Sequence, residues 1–410
     1  MLVRRGYPTR SEDRGSGLDV PARQSRSSCF LGPRSSFGLI IAAFIVAACA
    51  APRSLPPPSV AAAPDEIETT LFITGDAGEP VRRGDPVLAA LRRAIAERGD
   101  RAVVAFLGDN IYPRGMPPEG ASDRRDAERR LNAQLAVVVQ SGARGIFVPG
   151  NHDWARGVRG WDAIRRQGAY VAARGDPRVT VTPADGCPGP IVEDAGARLR
   201  LIILDTQWWL HTGPKPRDPD STCPADSEQE VVDALRSAIA DAGDRNVVVL
   251  AHHPLATGGS HGGHFTWRQH LFPLREFSRR LWIPLPGIGS AYPMARRRGI
   301  SSQDLSSLEN RRMRVMLEDA LSARRPLVYA SGHEHNLQVI RGIGAVWHLV
   351  SGAGSYNHLG PVAWGDSTVF AAVASGFMRL DVLRDGRARL GVLAVAADSS
   401  TSERFSMWLK

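Results

Sequence analysis

Five short polar motifs, each close behind an apolar run, constrain the fold of this chain more than any other feature of the sequence. The apolar runs are rich in β-branched residues, and amphipathic stretches such as residues 87–99 lie between them, which predicts an α/β protein. In an α/β sheet the carboxyl ends of strands meet at one edge, so we expect the motifs to share one site. In chain order, the motifs are GDAG (75–78), GDNIY (108–112), GNHD (150–153), AHHP (251–254) and GHEH (332–335).

Each motif on its own has a simpler explanation. An aspartate after a strand is often a helix N-cap, and a lone histidine is more often a core residue than a ligand. Together, the carboxylate, amide and imidazole groups form a donor set that suits iron, zinc or manganese and is large enough for two ions. Two ions roughly 3.5–4 Å apart stabilise both oxygens of an in-line displacement and acidify a bound water, which indicates phosphate-ester hydrolysis.

The order of the motifs resembles that of the calcineurin-like metallophosphoesterases, and within them the purple acid phosphatases, particularly the small tartrate-resistant type. Most metallophosphoesterases have D-x-H in the first motif, whereas the third position here is Gly78. The purple branch instead uses a tyrosine three residues after a bridging aspartate, and Tyr112 stands three residues after Asp109. The resemblance covers most of residues 68–356. It implies a layered α/β/β/α sandwich with mixed sheets and the active site at the carboxyl ends of the strands.

The resemblance also implies the metal ligands, one residue at a time. An Fe(III) ion, which a hard phenolate donor favours, would be held by Asp76, Asp109, Tyr112 and His335. Asp109 would bridge to a second ion, zinc, manganese or iron, whose other ligands would be Asn151, His252 and His333. His252 is preferred to His253 because the ligand of the family lies two residues before the proline.

Three further residues have catalytic roles in this interpretation. His152 would face the substrate phosphate, with Asp153 fixing its tautomer. His261 lies nine residues after His252, the spacing of a second substrate-facing histidine in the family, and is the candidate general acid for the departing alkoxide. The alternative is that SHGGH (260–264) is a glycine loop with surface histidines. Other histidines have no motif support: His211, His270, His348 and His358.

The implied activity is that of an acid phosphatase, which hydrolyses small phosphate monoesters by attack of a metal-bound hydroxide. A phosphodiesterase, nucleotide hydrolase or pyrophosphate hydrolase with the same metals is the nearest alternative. A non-catalytic lipoprotein that binds metal or phosphate is a more remote one, because every ligand position holds the expected residue type. The formal net charge of +9 falls to +5 without residues 1–49, and this mild balance suits a small anionic substrate and does not resemble the footprint of a nucleic-acid-binding protein.

The N-terminal region predicts export. Twelve apolar residues, 39–50, follow an arginine-rich stretch; as a helix they span about 18 Å, too little for the roughly 30 Å bilayer core but typical of a signal peptide. They end in VAAC, which resembles the lipobox of bacterial lipoproteins, with Cys49 as the acylated residue. An ordinary cleavage site near Ala48 or Ala50 is the alternative. We therefore expect a lipid-anchored protein of the bacterial periplasm or cell envelope.

These features divide the chain into four expected parts. They are an export leader over 1–49, a Pro/Ala-rich tether over 50–65, one metallophosphoesterase domain over 66–398 and a C-terminal tail over 399–410. In an oxidising compartment Cys187 and Cys223 are expected to form a disulfide, two separate thiols being the alternative. Residues 276–312 have no family template, so a lid, a membrane-contacting loop and a surface excursion all stay open.

Overall fold

The computed structural model describes residues 58–410 except 157–159, 218, 220, 277, 279 and 343. The predicted leader with Cys49, and the predicted tether as far as residue 57, lie outside the described residues. A search of the described residues finds no helix with the length and apolar character needed to cross a membrane.

Two seven-stranded sheets, with strands numbered along the chain, form the centre of the described molecule. The first has the order β14-β13-β12-β1-β2-β3-β4: β1 (Ile67–Thr74), β2 (Ala102–Leu107), β3 (Arg144–Val148), β4 (Val179–Val181), β12 (Gly376–Leu383), β13 (Ala388–Val395) and β14 (Thr401–Trp408). The second has the order β11-β9-β10-β8-β7-β6-β5: β5 (Ile191–Ala195), β6 (Leu199–Ile203), β7 (Asn246–Leu250), β8 (Val328–Ser331), β9 (Leu337–Arg341), β10 (Trp347–Ser351) and β11 (Thr368–Ala372).

Helices cover the outer faces of both sheets. Along β1 the side chains alternate: Leu71 and Ile73 join Leu201 of the second sheet in the core between the sheets, whereas Phe72 packs with Leu91 of a covering helix. The chain therefore forms the α/β/β/α sandwich with mixed sheets that the sequence predicts. The helices are α1 (Pro86–Ala96), α2 (Arg124–Ser141), α3 (Gly160–Ala172), α4 (Thr206–Leu210), α5 (Glu228–Ala240), α6 (Trp267–Leu271), α7 (Ala291–Arg297) and α8 (Leu308–Ser322).

The parallel strands bring the motifs to one edge. Strands β1, β2 and β3 are parallel in the first sheet, and β6, β7, β8 and β10 are parallel in the second. Each motif begins within two residues of the end of its strand. A hydrogen bond from the Gly75 amide to the Ser351 carbonyl (2.7 Å) joins the two sheets at this edge. The five motifs therefore surround one place.

The C-terminal residues differ from the prediction. Residues 399–410 were expected to be a tail, but Thr401–Trp408 forms the edge strand β14, which pairs antiparallel with β13. A run of polar residues over 399–404 concealed the strand, and only Phe405 and Leu409 are buried apolar side chains in this segment. The end of the predicted tether also contacts this strand, since the Ser59 amide donates to the Ser406 hydroxyl (3.0 Å).

The predicted disulfide is confirmed. Cys187 and Cys223, 36 residues apart, are bonded, with their Cα atoms 5.5 Å apart. It ties the turn before β5 to the irregular chain between α4 and α5. Closing a loop of this length contributes about 4 kcal/mol by restricting the unfolded chain.

Candidate metal centre

Three motif residues have backbone conformations that non-glycine residues rarely adopt. The φ angles of Asp76, Asp109 and His333 are 57°, 54° and 68°, in the left-handed region. Such residues cost of order 1 kcal/mol or more each and persist where the surrounding structure determines them, most often at functional sites. The conformation lets each strand end in a sharp turn that directs a donor side chain into the space between the sheets.

Two glycines let the motif loops approach one another. A Cβ on Gly108, whose φ is 88°, would lie 2.4 Å from His252 Nδ1. A Cβ on Gly150 would lie 2.3 Å from the Asp109 amide nitrogen. Contacts shorter than 3 Å of this kind require displacement of backbone or of a buried ring, so a side chain at either position would separate the loops.

A first triad of donor atoms combines a phenol, a carboxylate and an imidazole. The Tyr112 hydroxyl donates to Asp76 Oδ1 (2.9 Å) and lies 3.0 Å from His335 Nε2. His335 Nε2 is 3.3 Å from Asp76 Oδ1, which closes the triangle. All three atoms come from motifs that the sequence predicts to meet.

A second triad combines an amide oxygen with two imidazoles. Asn151 Oδ1 lies 2.9 Å from His252 Nε2 and 3.0 Å from His333 Nδ1, and the two ring nitrogens are 3.1 Å apart. Asp109 connects the triads: its Oδ1 is 3.5 Å from His252 Nε2, and it forms a potential metal-binding group with Asp76 and His252.

The second triad fits a metal ion better than it fits a hydrogen-bond network. His252 Nδ1 donates to the Leu107 carbonyl (2.8 Å), so in the neutral ring Nε2 presents a lone pair to the Asn151 oxygen. His333 Nε2 is buried with no hydrogen-bond partner among the described residues. Ligands bound at about 2.1 Å in an octahedral arrangement lie about 3 Å apart, which matches the separations within this triad.

The charges of the site also favour a cation. Burial, together with the negative charge of Asp109, raises the pKa of Asp76. Burial opposes ionisation of Asp109 as well, but His152 and His252 hold its pKa below the usual range. Two buried carboxylates this close repel each other when both are ionised, and a metal ion between them removes that repulsion.

The structure places His152 at the site but changes the role of Asp153. His152 Nε2 is 3.8 Å from Asp109 Oδ2, and its Nδ1 bonds to the Pro113 carbonyl (2.7 Å), which orients the ring in place of Asp153. Asp153 instead accepts hydrogen bonds from the amides of Gly150 (2.8 Å) and Asn110 (3.0 Å). Asp153 therefore ties the second and third motifs together, and its expected contact with His152 is corrected.

His261 reaches the site from the loop after β7. Its ring centroid lies 3.9 Å from that of His333. Its Nδ1 is 3.2 Å from Asp304 Oδ1 and 3.0 Å from Arg296 Nη2. No motif marks Asp304 or Arg296, because both lie in the segment 276–312, for which no family template exists.

Two further histidines border the triads. His253, the neighbour of His252, bonds through Nδ1 to the Thr206 hydroxyl (2.9 Å) and through Nε2 to the Gln303 side-chain oxygen (2.8 Å). His358, which has no motif, packs against His335 with the rings tilted and their centroids 4.0 Å apart. By contrast, Trp154 is fully buried in the core and does not line the site.

Comparison with known proteins decides the family. The model of the calcineurin-like phosphoesterase family matches residues 69–337, about two thirds of the chain. The chain belongs to the calcineurin-like phosphoesterase family. Members of this family act on phosphate esters and depend on two metal ions, and this phosphoesterase has buried residue groups that could hold them.

Two solved structures that match this chain share little sequence with it. One is GAP50, the anchor in the inner membrane complex of Plasmodium, with 14% identity, a TM-score of 0.49 and coverage of 84% of this chain and 89% of that chain. Another is the purple acid phosphatase PPD1 from yellow lupin (Lupinus luteus) seeds, with 14% identity, a TM-score of 0.49 and coverage of 83% and 53%. A search of curated proteins finds no match.

Proposed function

We propose that this phosphoesterase is a phosphatase of the purple acid type, which hydrolyses phosphate monoesters. The observation that carries the proposal concerns two positions of the site. Gly78 stands where most metallophosphoesterases have a histidine ligand, and Tyr112 offers a phenol in its place. A Cβ on Gly78 would lie 2.4 Å from the Asp109 carbonyl oxygen, so a histidine cannot occupy this position without displacing backbone. The Tyr112 hydroxyl lies instead within hydrogen-bond distance of Asp76 and His335.

Two ions would be held by the residues that the sequence predicts. Asp76, Asp109, Tyr112 and His335 would hold Fe(III), since a phenolate is a hard anionic donor. Asp109 would also contact a divalent zinc, manganese or iron ion, completed by Asn151, His252 and His333. When bound, the two ions would neutralise the phosphate and acidify a water molecule.

The two flanking histidines would act on the substrate directly. His152, oriented by the hydrogen bond from its Nδ1 to the Pro113 carbonyl, would donate from Nε2 to a phosphate oxygen when the ring carries both protons. His261 would donate a proton to the oxygen of the departing alcohol. Two imidazoles and two ions together offer more contacts than the two non-bridging oxygens of a diester can use. A monoester has three such oxygens, which favours monoesters as substrates.

A comparison of p-nitrophenyl phosphate with bis(p-nitrophenyl) phosphate tests the proposal. We expect kcat/KM to be at least about tenfold higher for the monoester, which is about 1.4 kcal/mol in the transition state. Asp109→Asn should abolish both activities, and Arg312→Gln, an exposed position on α8, should change neither. Faster hydrolysis of the diester would contradict the monoesterase assignment and favour the phosphodiesterase alternative.

We also propose that the protein is exported and anchored to the bacterial cell envelope through a lipid on Cys49. The disulfide between Cys187 and Cys223 supports export, because such bonds persist in oxidising compartments. Cys49→Ala should shift the protein from the membrane fraction to the soluble fraction, whereas Cys29→Ala should not. Equal membrane retention of both variants would contradict the anchor.

A further inference from the structure

The segment 276–312 returns to the metal centre through one turn. Within the turn over 301–307, the Leu305 amide donates to the His261 carbonyl (2.9 Å). The neighbouring Gln303 bonds to His253 Nε2 (2.8 Å). The turn therefore contacts the connection after β7 at both His253 and His261, although it lies more than 40 residues further along the chain.

Asp304, at the centre of this turn, is paired with an arginine from α7. Its side chain is 1% exposed and accepts from Arg296 Nε (2.6 Å) and Nη2 (2.5 Å), a bidentate contact. Arg296 also donates to the Tyr292 hydroxyl (2.8 Å), so its guanidinium is held from two sides. A buried ion pair of this kind is weak evidence of a contribution to stability, because desolvation offsets most of the attraction.

The ion pair meets the inner nitrogen of His261. Nδ1 is 3.2 Å from Asp304 Oδ1 and 3.0 Å from Arg296 Nη2. The carboxylate can accept a proton carried by Nδ1, and the guanidinium can donate to Nδ1 when that atom has a lone pair. Contact with the ionised carboxylate favours a ring that carries a proton on Nδ1. Nε2 is then the nitrogen that faces a substrate, and it can donate when the ring carries both protons.

We propose that Asp304, held by Arg296, is a positioning residue that fixes the His261 ring so that Nε2 faces the leaving oxygen of the substrate. The inference rests on the proposed function, in which His261 protonates that oxygen. Asp304 and Arg296, both from the segment 276–312, would then contribute to catalysis through His261. The competing explanation is that the ion pair only fastens this segment to the rest of the molecule.

Leaving groups of different basicity separate these explanations. An alkyl phosphate needs a proton donor for its alkoxide, whereas 2,4-dinitrophenyl phosphate releases a stable anion without one. We expect Asp304→Asn to lower kcat for the alkyl phosphate about 10- to 100-fold, the usual effect of losing an orienting partner, and to change kcat for the aryl substrate by about twofold at most. His261→Ala should show the same selectivity, and the double variant should lose little more.

A neighbouring arginine provides the matched control. Arg297 follows Arg296 on α7 and donates to the Gly263 carbonyl (2.7 Å), so it fastens the same loop without contacting His261. Arg297→Ala should leave both rates unchanged. If Asp304→Asn instead lowers the rates for both substrates equally, the positioning role is wrong. Arg296→Lys, which keeps the charge but loses the bidentate contact, gives the same comparison should Asp304→Asn fail to fold.

A readout that does not depend on activity separates failure of the inference from failure of the proposed function. If the wild-type protein hydrolyses neither substrate, the proposed function fails. The ¹⁵N shifts of the His261 ring in metal-free protein then decide the inference. We expect one fixed tautomer in wild type and Arg297→Ala, and averaged shifts in Asp304→Asn or Arg296→Lys. Identical shifts in all variants would overturn the positioning role.

Discussion

At the scale of single residues, the site contains backbone strain at three non-glycine positions. The strain is kept because the side chains at these positions supply the carboxylate and imidazole donors of the site. Asp76, Asp109 and His333 hold positive φ angles that glycine would adopt without cost. Replacement by glycine would relieve the backbone but remove a carboxylate or an imidazole from the triads. Gly108 and Gly150 lie where the loops pack too closely for a side chain and where no donor atom is needed. Glycine therefore occurs at the close contacts, and the strained non-glycine residues occur where a donor side chain is required.

Tyr112→Phe tests the residue on which the proposed metal identity depends. We expect the variant to lose visible absorption, because a phenolate bound to Fe(III) is its source, while hydrolysis falls only moderately since Asp76, Asp109 and His335 remain. Tyr170→Phe, which removes a hydroxyl bonded to Asn132 on the helical face, is the control and should keep the colour. A visible band that persists in Tyr112→Phe would contradict the assignment.

The sequence predicted that the motif residues lie together, because each motif follows the end of a strand. It could not predict Asp304 and Arg296, whose place beside His261 depends on how a long loop folds back. It also assigned Asp153 to the wrong partner. Adjacency in sequence suggested His152, whereas the turn after Asn151 directs Asp153 to the amides of the second motif.

At the scale of elements, strand β14 illustrates how edge strands escape detection. Its exposed half carries Thr401, Ser402, Glu403 and Arg404, so it lacks the apolar alternation by which the buried strands were recognised. The strands that precede the motifs were recognisable as apolar runs because both of their faces pack against other layers. An edge strand has less to bury and is specified mainly by its hydrogen bonds to β13.

Phe405→Ala measures what β14 contributes. Phe405 is 2% exposed and stacks on Phe370 of the second sheet, with ring centroids 5.2 Å apart, so its loss leaves a cavity between the sheets. We expect the free energy of unfolding to fall by about 3–5 kcal/mol in urea titrations. Arg404→Ala, the exposed neighbour, should change it by about 0.5 kcal/mol at most. If both variants changed the free energy of unfolding by the same small amount, residues 399–410 would contribute little to the stability of the fold.

The N-cap of helix α4 predicts a pH dependence of stability. Asp205 accepts from the amides of Gln207 (2.9 Å) and Trp208 (3.1 Å) and from Trp154 Nε1 (2.8 Å), and burial raises its pKa to about 7. A raised pKa in the folded state means that this carboxyl contributes most stability below about pH 4. The contribution is lost as the pH rises through about 7, and it amounts to about 4 kcal/mol at most.

Asp205→Asn should remove this dependence while keeping an acceptor at the cap. The difference in free energy of unfolding between wild type and variant should therefore shift steadily against the wild type from pH 4 to pH 7. Asp85→Asn makes the same substitution at the N-cap of α1 and controls for the chemical change. Parallel pH profiles of wild type and Asp205→Asn would show that Asp205 does not titrate in this range.

At the scale of the whole molecule, the site exists only when both sheets are assembled. Asp76, Asp109 and Asn151 follow strands of the first sheet, whereas His252, His333 and His335 follow strands of the second. The sequence predicted this arrangement because parallel strands end at a common edge, and the order of the motifs predicted the sandwich. The path of residues 276–312 was not predictable, since it follows neither rule.

The most direct test of the proposed metal centre is a visible spectrum of the purified protein, with metal analysis of the same sample. We expect two metal ions per chain, iron among them, and a broad visible band from the Tyr112 phenolate bound to Fe(III). A colourless protein with two zinc or manganese ions would contradict the purple-type assignment. A protein that binds fewer than two ions per chain would contradict the two-metal centre itself.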